Sequence, residues 1–215
     1  MLFANRQEAG RQLAQRLALL EGAESGALLL AVPRGGVVVA AEIARALRLP
    51  LDVFITRKLG APGNEELAIG ALSSDGTVVL DEQLTRSTGA DEAYIAQETE
   101  RQRQEISRRL QRYRGERPPP AVTGRTVVLV DDGVATGATT LAALRALRKQ
   151  APGRLILAVP VGPPDSINRL SAEADEVICL ATPEPFWAVG RFFADWSQTT
   201  DEEVATLLDM FGGSR

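Results

Sequence analysis

The chain has 215 residues, 45% hydrophobic and 24% charged, with a formal net charge of −4 and no histidine. That length suits one ordinary domain able to bury its core unaided, and one cysteine excludes an internal disulfide and a four-cysteine metal site. The missing histidine removes Ser-His-Asp and Cys-His catalysis and His-ligated zinc, while the acidic balance argues against a nucleic-acid surface. The first residues carry no basic stretch leading into an apolar one, so no secretory signal is expected. No apolar run approaches the roughly 20 residues that span a bilayer. A cytoplasmic location with no membrane partner is the expectation.

Residues 5–20 read as an amphipathic helix, with Leu13, Leu17 and Leu20 at helical spacing. The short apolar run 27–32 reads as a strand buried on both faces. Pro33, Arg34, Gly35 and Gly36 follow, then a helix over 37–48 and a strand over 51–56, which makes a βαβ unit. A Gly- and Pro-rich, flexible loop is expected over 59–66, and a hairpin from segments 67–72 and 77–80. Residues 91–114 form a charged helix with a narrow stripe of Ile95, Ile106, Leu110 and Tyr113. That stripe suits either docking within the chain or a subunit contact, as in a homodimer.

After Pro118, Pro119 and Pro120 the pattern predicts a strand over 126–130, a loop, and a helix over 138–149. A strand at 154–160, a short helix near 165–172 and a strand at 176–180 come next. The last of these contains Cys179, read as a small core residue. An aromatic-rich irregular segment (182–199) precedes a final helix, whose start is marked by Thr200 and Glu203 at capping-box spacing. Strands alternating with helices imply an α/β fold: a single-domain, mostly parallel, Rossmann-like sheet with helices on both faces.

Ligands in such sheets sit beyond the carboxyl ends of the strands, so the loop after 126–130 comes first. It opens with Asp131 and Asp132 and runs through Gly133, Val134, Ala135, Thr136, Gly137, Ala138, Thr139 and Thr140 into a helix. A glycine-spaced turn at a helix N-terminus presents free amides and the positive end of the helix dipole, which suits a phosphate. The threonines can add hydroxyl donors. Two carboxylates at a solvent-facing strand end suit vicinal hydroxyls or hydrated Mg2+. Together these features describe a bound sugar phosphate. There is no Gly-Lys-Ser/Thr and no G-x-G-x-x-G after the first strand, which excludes the two commonest rival phosphate loops.

This segment closely resembles the phosphoribosyl pyrophosphate motif of type I phosphoribosyltransferases: a hydrophobic strand, two acids, then a turn ending in Thr-Gly-x-Thr. The resemblance extends over roughly 25–200, in the expected strand–helix order. It implies one domain over 1–215, with a core at about 25–181 and a hood formed by about 182–200 plus the C-terminal helix. It further implies that Asp131 and Asp132 contact the ribose 2′- and 3′-hydroxyls and hold Mg2+ through water, with 134–139 around the 5′-phosphate.

The supporting sites follow the same resemblance. Arg34, Gly35 and Gly36 match the family's pyrophosphate loop, which often holds an unusual peptide conformation. Arg57 and Lys58 precede the expected mobile loop, placing Lys58 as a second pyrophosphate contact; a solvated charge pair is the alternative. Phe186 and Trp187 are the first choices among the aromatics for stacking on a base under the hood, or else they fill the hood's own small core. The implied reaction is transfer of the phosphoribosyl group to a nucleobase or similar small acceptor with release of pyrophosphate. Mg2+, Arg34 and Lys58 would stabilise the leaving group. The 6-oxopurine members carry an acid just before the Thr-Gly, where this chain has Ala135, so hypoxanthine and guanine are expected to be poor acceptors. Glu65 or Glu66 would be the substitute base. A non-catalytic sensor that keeps the sugar-phosphate site is the alternative function.

Overall fold

The computed structural model of the protein describes residues 2–20 and 26–211. The expected start of the core at 25 and the two ends of the domain lie outside them. The central sheet has five parallel strands in the order β2-β1-β6-β7-β8: β1 (Leu28–Ala31), β2 (Leu51–Val53), β6 (Thr126–Val130), β7 (Arg154–Val161) and β8 (Glu176–Ala181). A smaller antiparallel sheet, β3-β4-β5, comprises β3 (Thr56–Ala61), β4 (Asn64–Ser73) and β5 (Val78–Leu80).

The central strands read as unbroken apolar runs because helices cover both faces. Alternate residues serve the two sides. Leu29, Ala31, Val128, Val130, Ile156 and Ala158 belong to one buried cluster. Leu28, Leu30, Val127, Leu129, Leu155 and Leu157 belong to the other. The first cluster is completed by residues of α1 (Arg6–Leu17), α2 (Gly35–Leu47) and α7 (Asp201–Phe211), the second by α5 (Ala138–Lys149) and α6 (Pro164–Ser171).

This topology places the site. From β1 the chain crosses through α2 to β2 on one side; from β6 it crosses through α5 to β7 on the other. The β1–α2 and β6–α5 loops therefore leave neighbouring strands toward opposite faces at the strands' carboxyl ends, the place where sheets of this kind form a ligand crevice.

Several expectations change in detail. The strand predicted over 51–56 breaks in two. After β2 the amide of Phe54 still donates to Ala31 at 2.9 Å, but the carbonyl of Ile55 accepts from Ser74 at 2.8 Å, and the chain passes into β3 of the small sheet. The loop expected over 59–66 is instead the body of the β3–β4 hairpin, turning at Pro62 and Gly63. Proline sets the first turn dihedral and glycine supplies the positive φ of 72°, so a sequence that looked flexible is a tight turn. The next hairpin pairs β4 with β5 as the sequence predicts. A short helix, α3 (Glu82–Ser87), was not foreseen; Asp81 caps it by accepting from the amides of Gln83 and Leu84.

The long helix α4 (Glu92–Arg114) docks its stripe within the chain, with Ile106 and Tyr113 buried and Ile95 and Leu110 packed beside them. The Thr200–Glu203 capping box forms in both directions, at 3.1 and 2.7 Å. Cys179 is half-buried, and burial pushes its thiol up, as suits a core residue. No helix among the described residues is long and apolar enough to cross a membrane.

Candidate active site

Beyond Val130, Asp131 and Asp132 are both half-buried. Asp131 Oδ1 accepts the amide of Asp132 at 2.8 Å, and Oδ2 lies 3.4 Å from the Thr140 hydroxyl. Burial first, and the adjacent Asp132 second, push the Asp131 carboxyl well above its ordinary range. Asp132 Oδ2 receives Nε of Arg6 at 2.7 Å. The acids therefore do not stand open at a solvent-facing strand end, as expected. They are partly enclosed, and one is ion-paired.

The turn that follows divides its backbone groups. Val134 is buried and its amide donates to Val161 at 2.8 Å, so this residue anchors the turn rather than lining it. The carbonyl of Ala135 accepts from Ser166 at 2.8 Å and that of Thr136 from Arg169, which ties both to α6. The amides of residues 135–139 have no acceptor among the described residues. Gly137, with φ of 76°, starts α5 without any side-chain cap, a conformation that costs glycine little. Ala135, Thr136, Ala138 and Thr139 are exposed. Thr140 is buried and faces Asp131, so it is not one of the loop's free donors.

The second loop lies against the first. The Pro33–Arg34 peptide is cis, in keeping with the unusual conformation expected there. A Cβ on Gly35 would fall 1.8 Å from Asp132 Oδ2, and one on Gly36 would fall 2.9 Å from the carbonyl oxygen of Val130. The absence of side chains is what lets the loops meet. Arg34 is half-buried; its carbonyl accepts the Val37 amide at 3.0 Å, and its guanidinium has no hydrogen bond or ion pair among the described residues. Its charge reaches Tyr113 and Asp201, which bond each other at 2.6 Å. Burial and that bond push the Tyr113 hydroxyl up to about 12.

The remaining basic candidates have partners of their own. Lys58 is exposed and pairs with Glu66 at 2.7 Å. Arg57 donates to Gln102 on α4 at 3.0 Å, and burial, then the charge of Arg109, lowers its pKa. Glu65 pairs with Arg101 at 3.1 Å. The hydrogen bond from Lys58 holds the Glu66 carboxyl below its usual value, the reverse of what a general base near neutrality needs.

In the hood, Phe186 packs on Phe192 with centroids 5.0 Å apart, whereas Trp187 is 77% exposed. The hood also has a component that the sequence reading missed. Residues 2–4 run beside 192–195: Phe3 packs on buried Phe193 at 5.3 Å, its amide donates to Phe192 and its carbonyl accepts from Ala194. Val189 rests on the loop, its Cγ1 only 2.4 Å from where a Cβ on Gly133 would sit. Arg6 was missed as well. Its one sequence signal is a cation at the first position of a helix, where the dipole disfavours positive charge.

A family model for the phosphoribosyl transferase domain matches residues 4–192. The chain belongs to that family. Two Mycobacterium tuberculosis proteins, each provisionally named a phosphoribosyl transferase, are 48% identical over 208 residues. The alignment covers 97% of this chain and 46% of theirs, so the chain spans about half the length of these curated relatives. A solved structure from Thermus thermophilus is similar at TM-score 0.87 and 46% identity, covering 99% of this chain and 100% of that one. A Neisseria gonorrhoeae protein solved with bound ppGpp shares the fold alone, at TM-score 0.51 and 14% identity, with 95% and 92% covered. The family match takes in both crevice loops, Arg6 and the first part of the hood, up to 192.

Proposed function

We propose that this domain transfers the 5-phosphoribosyl group of phosphoribosyl pyrophosphate to a nitrogen of a nucleobase or similar small acceptor. The bond from ribose C1 to pyrophosphate breaks, pyrophosphate leaves with the electron pair, and a C1–N bond forms as the acceptor nitrogen gives up its proton. The observation that carries this reading is the row of amides at 135–139 with no acceptor among the described residues, at the uncapped start of α5, with the Asp131–Asp132 pair beside them. A 5′-phosphate would complete the helix start. The acids would accept the ribose hydroxyls. Arg34, unpaired among the described residues and beside Gly35 and Gly36, would take the pyrophosphate with the amides of its loop.

Two adjacent carboxylates suit Mg2+ held mainly by substrate oxygens. No cluster of three or more metal-ligating side chains occurs among the described residues, and one oxygen of Asp132 is committed to Arg6. The acids would therefore hold the ion through water, and the ion would supply charge stabilisation to the departing pyrophosphate. Catalysis by the chain itself is then positioning and electrostatics. Ala135 offers no carboxylate to deprotonate a 6-oxopurine, so hypoxanthine and guanine should be poor acceptors.

The test is calorimetric titration of phosphoribosyl pyrophosphate with Mg2+ into the native protein and into the Asp131→Asn/Asp132→Asn variant. A large loss of affinity in a folded variant is expected, and an unchanged affinity removes the ribose role from both acids. A second reading, a non-catalytic binder, is favoured by Lys58, Glu65 and Glu66 pairing with one another or with Arg101. Pyrophosphate release across a panel of free bases separates the two: tight binding without turnover of any base selects the binder.

A further inference from the structure

The three elements that meet at the crevice are locked by a residue from outside it. Arg6, at the first turn of α1, donates Nε to Asp132 at 2.7 Å and Nη1 to the carbonyl of Ser197 at 2.8 Å. Its Cζ lies 3.6 Å from the centroid of the Trp196 ring. The side chains of Arg6 and Asp132 are only 10% and 17% exposed. A guanidinium gripped on its edge by two acceptors and on its face by an indole is fixed before any ligand arrives. The joint also touches the other loop, since a Cβ on Gly35 would lie 2.7 Å from Arg6 Nε.

We propose that Arg6 is a positioning residue for ribose recognition, aiming Asp132 at a ribose hydroxyl and tying that acid to the hood. This rests on the ribose role assigned above to Asp132. Arg6 engages only Oδ2, so the pair orients the carboxylate without consuming both its oxygens. Two adjacent acids with no cation between the loops would repel each other, and a small rotation of Asp132 would take it out of line with the sugar. Trp196 extends the linkage. It packs on Phe193 at 4.8 Å and against Gly190, next to the Val189 that rests on Gly133. The hood thus bears on the start of the ribose-phosphate loop at two neighbouring residues, through Arg6 on Asp132 and through Val189 on Gly133.

The experiment titrates Arg6→Gln and Arg6→Lys with phosphoribosyl pyrophosphate and Mg2+, and separately with inorganic phosphate, which has no ribose hydroxyls and so reports on the anion sites without the acid pair. Arg6→Gln is expected to weaken phosphoribosyl pyrophosphate by about ten-fold or more and to leave phosphate affinity at the native value, with Arg6→Lys between the two. Unchanged phosphoribosyl pyrophosphate affinity, or an equal loss toward both ligands, overturns the proposal. If Arg6→Gln does not fold, Arg6→Lys decides alone, because it keeps the charge but loses the planar contacts to Ser197 and Trp196. A selective loss supports the role, and native affinity overturns it. Asp132→Asn is the companion: if it leaves affinity intact, the ribose reading itself falls. If it weakens binding and the Arg6 variants do not, only the Arg6 role falls.

Discussion

The helix starts at the crevice and those at the periphery are built from the same backbone and finished differently. Away from the site, side chains complete them. Asn5 accepts the Glu8 amide at 2.9 Å, Asp91 accepts that of Tyr94 at 2.8 Å, and Thr200 and Glu203 cap each other. Where β1 and β6 hand over to α2 and α5, no side chain caps the helix, and the positions where a cap would stand are Arg34 and Gly137. α6 also lacks a side-chain cap, but proline at its start removes a donor. The difference teaches where binding energy is reserved. A helix start without a cap forgoes about 1 kcal/mol of stability and leaves its amides and dipole open, as the proposed anion sites require.

Four variants would break or sharpen that comparison. The largest effect is expected from Gly35→Ala, which drives a methyl group against Asp132 and Arg6. Overpacking of this kind costs about 1–3 kcal/mol, and the displaced acid should weaken phosphoribosyl pyrophosphate by about a hundred-fold; thermal melting and calorimetry measure the two. Next comes Arg34→Gln, for which we expect pyrophosphate affinity to fall about ten-fold with little change in melting temperature, since the Arg34 side chain has no hydrogen bond or ion pair to lose among the described residues.

Asp131→Asn should act in opposite directions on function and stability. The folded state raises the Asp131 pKa, so it binds the proton more tightly than the unfolded chain does. Stability is therefore lost as pH rises from the ordinary carboxylate range through the raised value, and the penalty is fully in place above it. Asparagine keeps an oxygen for the Asp132 amide and removes the buried charge. It should raise stability near neutral pH by about 1 kcal/mol, or roughly 2–4 °C in Tm, while weakening phosphoribosyl pyrophosphate. A variant less stable than the native protein at neutral pH would show that the burial is compensated. The smallest effect tests the periphery: Asp91→Ala should cost about 1 kcal/mol in denaturant titration and leave phosphoribosyl pyrophosphate affinity untouched. Loss of binding there would erase the distinction between the two kinds of helix start.

Much of the crevice was legible because its signals are local. Asp131, Asp132 and the turn to Thr139 lie within nine residues that follow a strand and run into a helix, and Pro33 to Gly36 repeats that pattern at β1. The Thr200–Glu203 cap was legible for the same reason. The β3–β4 hairpin was misread because Gly and Pro mark a tight turn and a loose loop alike; the choice depends on whether flanking segments find partners, and here β3 pairs along β4. The resemblance places Lys58 at the leaving group, with a solvated charge pair as the alternative; only the tertiary structure shows that its ion-pair partner is Glu66.

By itself the amino-acid sequence determined the apolar strand runs, their order with the helices, and the acid pair entering a small-residue turn, because each of these is a preference of neighbouring residues. Only the tertiary structure decided that Arg6 reaches across 126 positions to Asp132, that Phe3 seals the hood, and that Val134 and Thr140 turn inward while Ala135, Thr136 and Thr139 stay exposed. Such contacts follow from how the sheet, its flanking helices and the hood pack around the crevice, and no local pattern of residues encodes them.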